Sequence, residues 1–383
     1  MLLDEIISEG ERIMTICNAC RYCEGFCPVF PAMERRLTFA EADMNYLANL
    51  CHNCGECLRA CQYEPPHPFD VNVPKTLAKI RVRSYEKYCW PQTLGFGFRT
   101  HGIATVVGIA SFLAACMAGF IRWIGNTPLI GSDDAANFYR VISHQAMAVG
   151  FGVVFLLIFA ALVIGVTRYL KDTRGEAGPV QPDSILTGLR DALSLKYLHG
   201  SGAECTTQET IRSPWRRWFH HLTFYGFMLC FASTSVATLY HFIFDQPAPY
   251  PLLSLPVVLG TLGGIGLFIG PLGLWVIRGR SDPAVRDPNQ RGLDRGFTVS
   301  LVLTSATGLA LLALRETPAM RILLIVHLAV VMTLFITLPY GKFVHGLYRA
   351  AALIQYAREC RIKKPIALRM PPLNSPADAR ADG

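Results

Sequence analysis

Charge is what this sequence has least of. Only 17% of its 383 residues are Asp, Glu, Lys or Arg while 51% are apolar, whereas about a quarter of an ordinary soluble chain is charged. That shortage argues against a soluble protein and for one that meets a bilayer. The opening residues, MLLDEIISEGERIM, lack a basic stretch followed by an apolar one, so no signal peptide is expected and the N-terminal region is read as cytoplasmic. Paired, dispersed cysteines are also missing. Outside two tight runs, Cys89, Cys116, Cys205, Cys230 and Cys360 stand singly, which makes a disulfide scaffold a poor reading. The formal charge of +8 is carried largely by loops between apolar runs, and a nucleic-acid partner is not expected.

The other eight of the thirteen cysteines form two copies of one pattern. CNACRYCEGFCPVF holds Cys17, Cys20, Cys23 and Cys27, and CHNCGECLRAC holds Cys51, Cys54, Cys57 and Cys61, each 34 positions after its counterpart. The pattern CxxCxxCxxxC is the ligand run of bacterial-type ferredoxins with two cubane clusters. Three closely spaced thiolates wrap one cube and the fourth reaches across to the other. The spacing therefore expects one [4Fe-4S] cluster on Cys17, Cys20, Cys23 and Cys61, and a second on Cys51, Cys54, Cys57 and Cys27. Structural zinc sites use four ligands, usually as two separated pairs, and have no use for a tripled run.

After a basic, aromatic stretch at 79–92, six uncharged or nearly uncharged runs follow, at about 102–121, 141–167, 218–244, 252–277, 296–314 and 322–341. Each reaches the roughly 20 residues needed to span a bilayer. Alternate loops differ in charge. One set carries Arg168, Lys171, Arg217, Arg278, Arg295 and Lys342 among others, and the opposite set only Arg122, Arg140, Arg315 and Arg321. Because Lys and Arg collect on the cytoplasmic side, both termini and the cysteine domain are expected there, in the inner (cytoplasmic) membrane. The long loop at 168–217 contains DSILTGLRDALSLKYL, read as an amphipathic helix capped by Asp183 that lies on the membrane surface or against the cysteine domain.

Histidine in an apolar helix is costly and usually functional. His327 and His345 are 18 residues apart, five turns of a continuous sixth helix, and would project from one face ~27 Å apart. In the third run His220 and His241 differ by about 60° around the axis and His221 and His241 by about 160°, so His220 is the better partner for a shared face. With these two helices antiparallel, His220 is expected beside His345 near the cytoplasm and His241 beside His327 near the outside. Facing histidines suit bis-imidazole ligation of haem iron, and since no CxxCH occurs the haem would be of b type. His101 is read as an interfacial residue.

IVHLAVVMTLFITLPYGKFVHGLYR (325–349) and RRWFHHLTFYGFML (216–229) resemble the haem-ligand helices of the nitrate reductase gamma subunit and of membrane heterodisulfide reductase subunits. In the former the first ligand helix has a second histidine about ten residues on, where this chain has Cys230 and Phe231, so an outer haem would need His241 or His144. The cysteine repeat joined to six spans, with HHLTFYGF, is similar to the tricarballylate (citrate) utilisation protein B family over nearly the whole chain. That resemblance implies a membrane partner of a soluble FAD-dependent dehydrogenase, passing electrons through the clusters and one or two b haems to quinone. The alternatives are a quinol-oxidising subunit feeding a cytoplasmic reductase and a membrane-bound iron-sulfur redox sensor. The expected architecture is a small α+β ferredoxin-like domain (1–90), an all-α six-helix transmembrane bundle (91–350) and a cytoplasmic C-terminal segment (351–383), disordered after about residue 365.

Overall fold

The computed structural model describes residues 3–125, 138–175, 179–199 and 214–362; the tail expected to be disordered lies outside them. The cysteine domain is built from α1 (Leu3–Cys20), α2 (Val29–Met33), α3 (Glu41–Leu50), α4 (Glu56–Arg59) and α5 (Val73–Tyr88), and there is no strand among the described residues. The α+β expectation is therefore corrected to an all-helical domain. The reason is legible in the apolar period between the cysteines. Ile6, Ile13 and Met14 of α1, Met44, Leu47 and Ala48 of α3, and Leu77, Ile80 and Tyr88 of α5 are buried, and these separations of three, four, seven and eight residues line one face of a helix, whereas the odd ones would fall on opposite faces of a strand.

The six apolar runs each form a helix long and apolar enough to cross a bilayer, so the chain is a multi-pass membrane protein. Four follow in order with two short elements between them: α6 (Phe96–Gly125), α7 (Phe138–Val141), α8 (His144–Thr173), α9 (Pro182–Leu193), α10 (Trp215–Phe242) and α11 (Leu255–Arg280). The last two spans belong to α12 (Arg291–Ala313) and α13 (Met320–Thr337). Phe112, Trp123, Leu156, Phe159 and Leu262 are exposed, a costly surface in water and an ordinary one in lipid. Helices α10 and α11 touch backbone to backbone. A Cβ on Gly226 would lie 2.7 Å from Leu267 N and 2.9 Å from Gly263 O, the close approach that small residues permit where lipid removes the hydrophobic drive for association.

Two expectations about the helices are corrected. The sixth span does not run through to His345. It ends at Thr337, whose carbonyl accepts from Tyr340 N (3.2 Å) and Gly341 N (2.8 Å), because Pro339 brings no N–H to continue the helical ladder. A new helix, α14 (Val344–Arg361), begins there. The N-cap of α9 is Gln181 rather than Asp183. Pro182 takes the first helical position, which its fixed φ suits, and leaves Asp183 in the first turn, where it accepts from Arg361 at 3.0 Å.

Helix α14 is the piece that joins the two halves. Its Val344, Tyr348, Ala351, Ala352 and Leu353 belong to the same buried cluster as Phe30, Met33, Tyr46 and Leu47 of the cysteine domain and Tyr169 of α8. Glu359 near its end accepts from Arg36 Nη2 (2.8 Å), Tyr46 OH (3.1 Å) and Gln355 Nε2 (3.1 Å). Helix α9 lies along its other side, so close that a Cβ on Gly188 would come 2.6 Å from Ile354 Cα.

Candidate functional site

The cysteine runs leave the helices through turns that need left-handed backbone. Arg21 and Gly55 occupy equivalent places in the two repeats and have φ of 54° and 83°. Gly55 also sits under Val285, whose Cγ1 would be 2.8 Å from an added Cβ, so space as well as conformation selects glycine there. The turns direct the thiols into two cavities. Cys17, Cys20, Cys23 and Cys61 line one of about 280 Å³, and Cys27, Cys51, Cys54 and Cys57 line a tighter one of about 20 Å³, with Cys57 touching both.

Burial, and after it the neighbouring thiols, pushes Cys17 and Cys23 up to about 12 and Cys27 and Cys57 well above the usual thiol range. Such a group of sulfurs ionises together only around compensating cations. Asn53 N and Tyr63 N already point at Cys51 Sγ and Cys61 Sγ, each at 3.4 Å, as amide donors to cluster thiolates do. Among the described residues no three His, Cys, Asp or Glu side chains converge on a single-ion site. The thiols are spread around cavity walls instead, which fits the separate corners of a polynuclear cluster.

A third cavity, of about 430 Å³, lies where the cysteine domain meets the membrane helices and is lined by His220, His345, His52, Cys54, Lys342 and several arginines. The rings of His220 and His345 have their centres 6.0 Å apart. An axial nitrogen sits ~2 Å from its metal and roughly 1 Å from its ring centre, so two imidazoles sharing an iron have centres about 6 Å apart. His345 Nδ1 hydrogen-bonds the Lys342 carbonyl, so Nδ1 carries the proton and Nε2 keeps its lone pair for a metal. Burial, then Lys342, holds the His345 imidazole well below its usual value, in the neutral form a ligand requires. The residues of this cavity fit an axial histidine pair.

The other histidines are arranged differently from expectation. His241 stacks on His144 with ring centres 3.5 Å apart and planes at 20°, too close for an iron between them. His327 does not meet His241; its Nδ1 is 2.9 Å from Thr307 Oγ1 of α12, a satisfied polar contact between helices. His221 turns away from the cavity and stacks on Tyr225 at 5.6 Å. Sequence reasoning passed over His52, which is 8% exposed and lines both the second cysteine cavity and the histidine cavity. Its place beside Cys51 was the available signal.

Comparison with known proteins agrees with this division of the chain. Residues 10–87 match the citrate utilization protein B Fer4-like domain, and residues 100–366 match citrate utilization protein B. The chain is 49% identical over 365 residues to citrate utilization protein B of Escherichia coli, covering 94% of each. No solved structure matches it. A multi-pass membrane protein with a helical domain of eight clustered cysteines, this chain belongs to the citrate utilization protein B family.

Proposed function

We propose that the chain is a membrane electron conduit, taking electrons from the reduced FAD of a soluble, tricarballylate dehydrogenase-like enzyme and delivering them to quinone. The observation that carries the reading is the shared wall. His52 and Cys54 separate the second cysteine cavity from the cavity of His220 and His345, so two kinds of redox site would be neighbours across two residues. When bound, two [4Fe-4S] clusters and a b haem supply one-electron steps between a flavin that releases electrons in pairs and the quinone.

The chain's own residues have distinct tasks. Cys17, Cys20, Cys23 and Cys61 would hold one cluster, and Cys27, Cys51, Cys54 and Cys57 the other. His220 and His345 would be the axial pair, with the Lys342 carbonyl fixing the His345 tautomer. The stacking of His144 on His241 favours a count of one haem over two. The excess of Lys and Arg in the loops on the cysteine domain's side supports a cytoplasmic placement for that domain and a flavoprotein partner. Anaerobically purified protein is expected to show a low-spin b-haem spectrum together with a broad cluster absorbance that bleaches on reduction. His345→Ala should lose the low-spin signal and quinone reduction while its clusters stay reducible by the flavoprotein. A normal haem spectrum and full quinone reduction in that variant would sink the axial assignment.

A further inference from the structure

Three arginines from three different helices meet in the wall of the histidine cavity: Arg81 of α5, Arg216 of α10 and Arg349 of α14. Each is anchored by the backbone of the second cysteine run or the helix leading to it. Arg81 Nε donates to Ala48 O (2.7 Å), Arg216 Nη2 to His52 O (2.7 Å) and Nη1 to Asn53 O (3.1 Å), and Arg349 Nη2 to Cys51 O (2.6 Å). Arg216 precedes His220 by four residues and Arg349 follows His345 by four, so each shares a helix face with its histidine.

Two of these cations, Arg81 and Arg349, are short of anions. Among the described residues neither Arg81 nor Arg349 has an acidic partner; of the cavity's three aspartates, Asp294 and Asp282 are engaged with Arg278, Lys342 and Arg59, and Asp287 accepts from Asn289. Arg81 is 5% exposed, and its Nη2 is buried with no hydrogen-bond partner. A buried guanidinium with an orphaned nitrogen, facing two more of its kind, is unfavourable unless an anion completes it, and a planar guanidinium suits a carboxylate.

We infer that Arg81, Arg216 and Arg349 form a carboxylate-binding site in the wall of the His220–His345 cavity, and that its ligands are the propionates of the haem those histidines would hold. The inference rests on the haem reading above. It gives the arginines two jobs, since the same side chains that would grip the propionates also hold the backbone of Cys51, His52 and Asn53.

The test uses the full-length holoprotein in detergent, with haem release to apomyoglobin followed optically and the haem midpoint potential titrated. Arg81→Gln and Arg349→Gln should each release haem about tenfold faster, the loss of one charge-assisted hydrogen bond, and lower the haem potential because a cation near the iron has gone. Arg81→Lys should recover part of both effects. Unmutated protein reconstituted with haem dimethyl ester should also release it faster but show a raised potential, since there the negative charges are removed and the arginines remain. This arm does not depend on any variant folding, and iron and acid-labile sulfide report whether the variants keep their clusters. Wild-type release rates and potentials in both Gln variants and with the ester would overturn the inference and leave the haem reading standing. One equivalent of citrate bound by wild-type holoprotein and lost in Arg81→Gln, with haem release unchanged, would overturn it in favour of a free polycarboxylate. Absence of haem from the wild type would overturn the haem reading itself.

Discussion

Replacing Glu359 tests whether α14 is held in the cysteine domain by its buried carboxylate. The Glu359 side chain is 9% exposed and that of Arg36 11%. The carboxylate receives Arg36, Tyr46 and Gln355, and the Tyr46 hydroxyl belongs to a fully buried side chain. Removing one partner of a buried ion pair costs about 3–5 kcal/mol. Here the low end applies, because Asp43 still accepts from Arg36 Nε at 2.7 Å. The abandoned Tyr46 hydroxyl adds roughly 1 kcal/mol or more. We expect Glu359→Ala to destabilise the docked helix by about 3–4 kcal/mol and Glu359→Gln, which keeps the shape and two hydrogen bonds, by about 1–2 kcal/mol. Native-state hydrogen exchange in nanodiscs reads this directly. Protection of amides in α14 and α3 should fall about a hundredfold or more in the Ala variant, with little change in α11, which makes no contact with the pair. Because His345 starts the same helix, the low-spin haem signal should weaken alongside. Unchanged protection of α14 in Glu359→Ala would refute the reasoning and leave apolar packing as what docks the helix.

Cys20→Ser and Cys54→Ser should each lose about four iron atoms while keeping haem, measured by iron and acid-labile sulfide analysis; stoichiometric zinc without sulfide would reject the cluster reading. Gly55→Ala should lower occupancy of the second cluster only, since φ of 83° and Val285 both oppose a side chain there, whereas Gly25→Ala, with nothing within 4 Å of its added Cβ, should match wild type in iron content. Lys342 is pushed down to about 8, mainly by burial, so between pH 8 and its unfolded value the unfolded chain binds a proton the folded one does not. Stability should rise with pH across that window, by on the order of 2 kcal/mol near pH 10, and Lys342→Met should flatten the rise in thermal melts. An unaltered pH profile in that variant would show that Lys342 is not the titrating group.

The clustering of the cysteines and the number of spans were legible in the sequence because they depend on local spacing. Two copies of CxxCxxCxxxC gather their cysteines within short turns, and six apolar runs of bilayer length form spans wherever the backbone must satisfy its own hydrogen bonds. The pairing of His220 with His345 was also readable, from helix count and loop charge. What the sequence did not carry were relations decided by packing. Helical period was present in α1, α3 and α5, but the cysteine pattern drew the reading toward a ferredoxin sheet. Pro339 ended the sixth span early and turned His345 into the start of a separate helix, and only its burial against Phe30, Tyr46 and Tyr169 showed where that helix goes. His241 found His144 rather than His327 because the rotation of one helix against another follows from side-chain fit over the whole bundle, not from the hundred degrees each residue adds. The convergence of Arg81, Arg216 and Arg349 is of the same kind. They lie in three helices distant in sequence, and no local pattern relates residues whose contact is made by the tertiary fold alone.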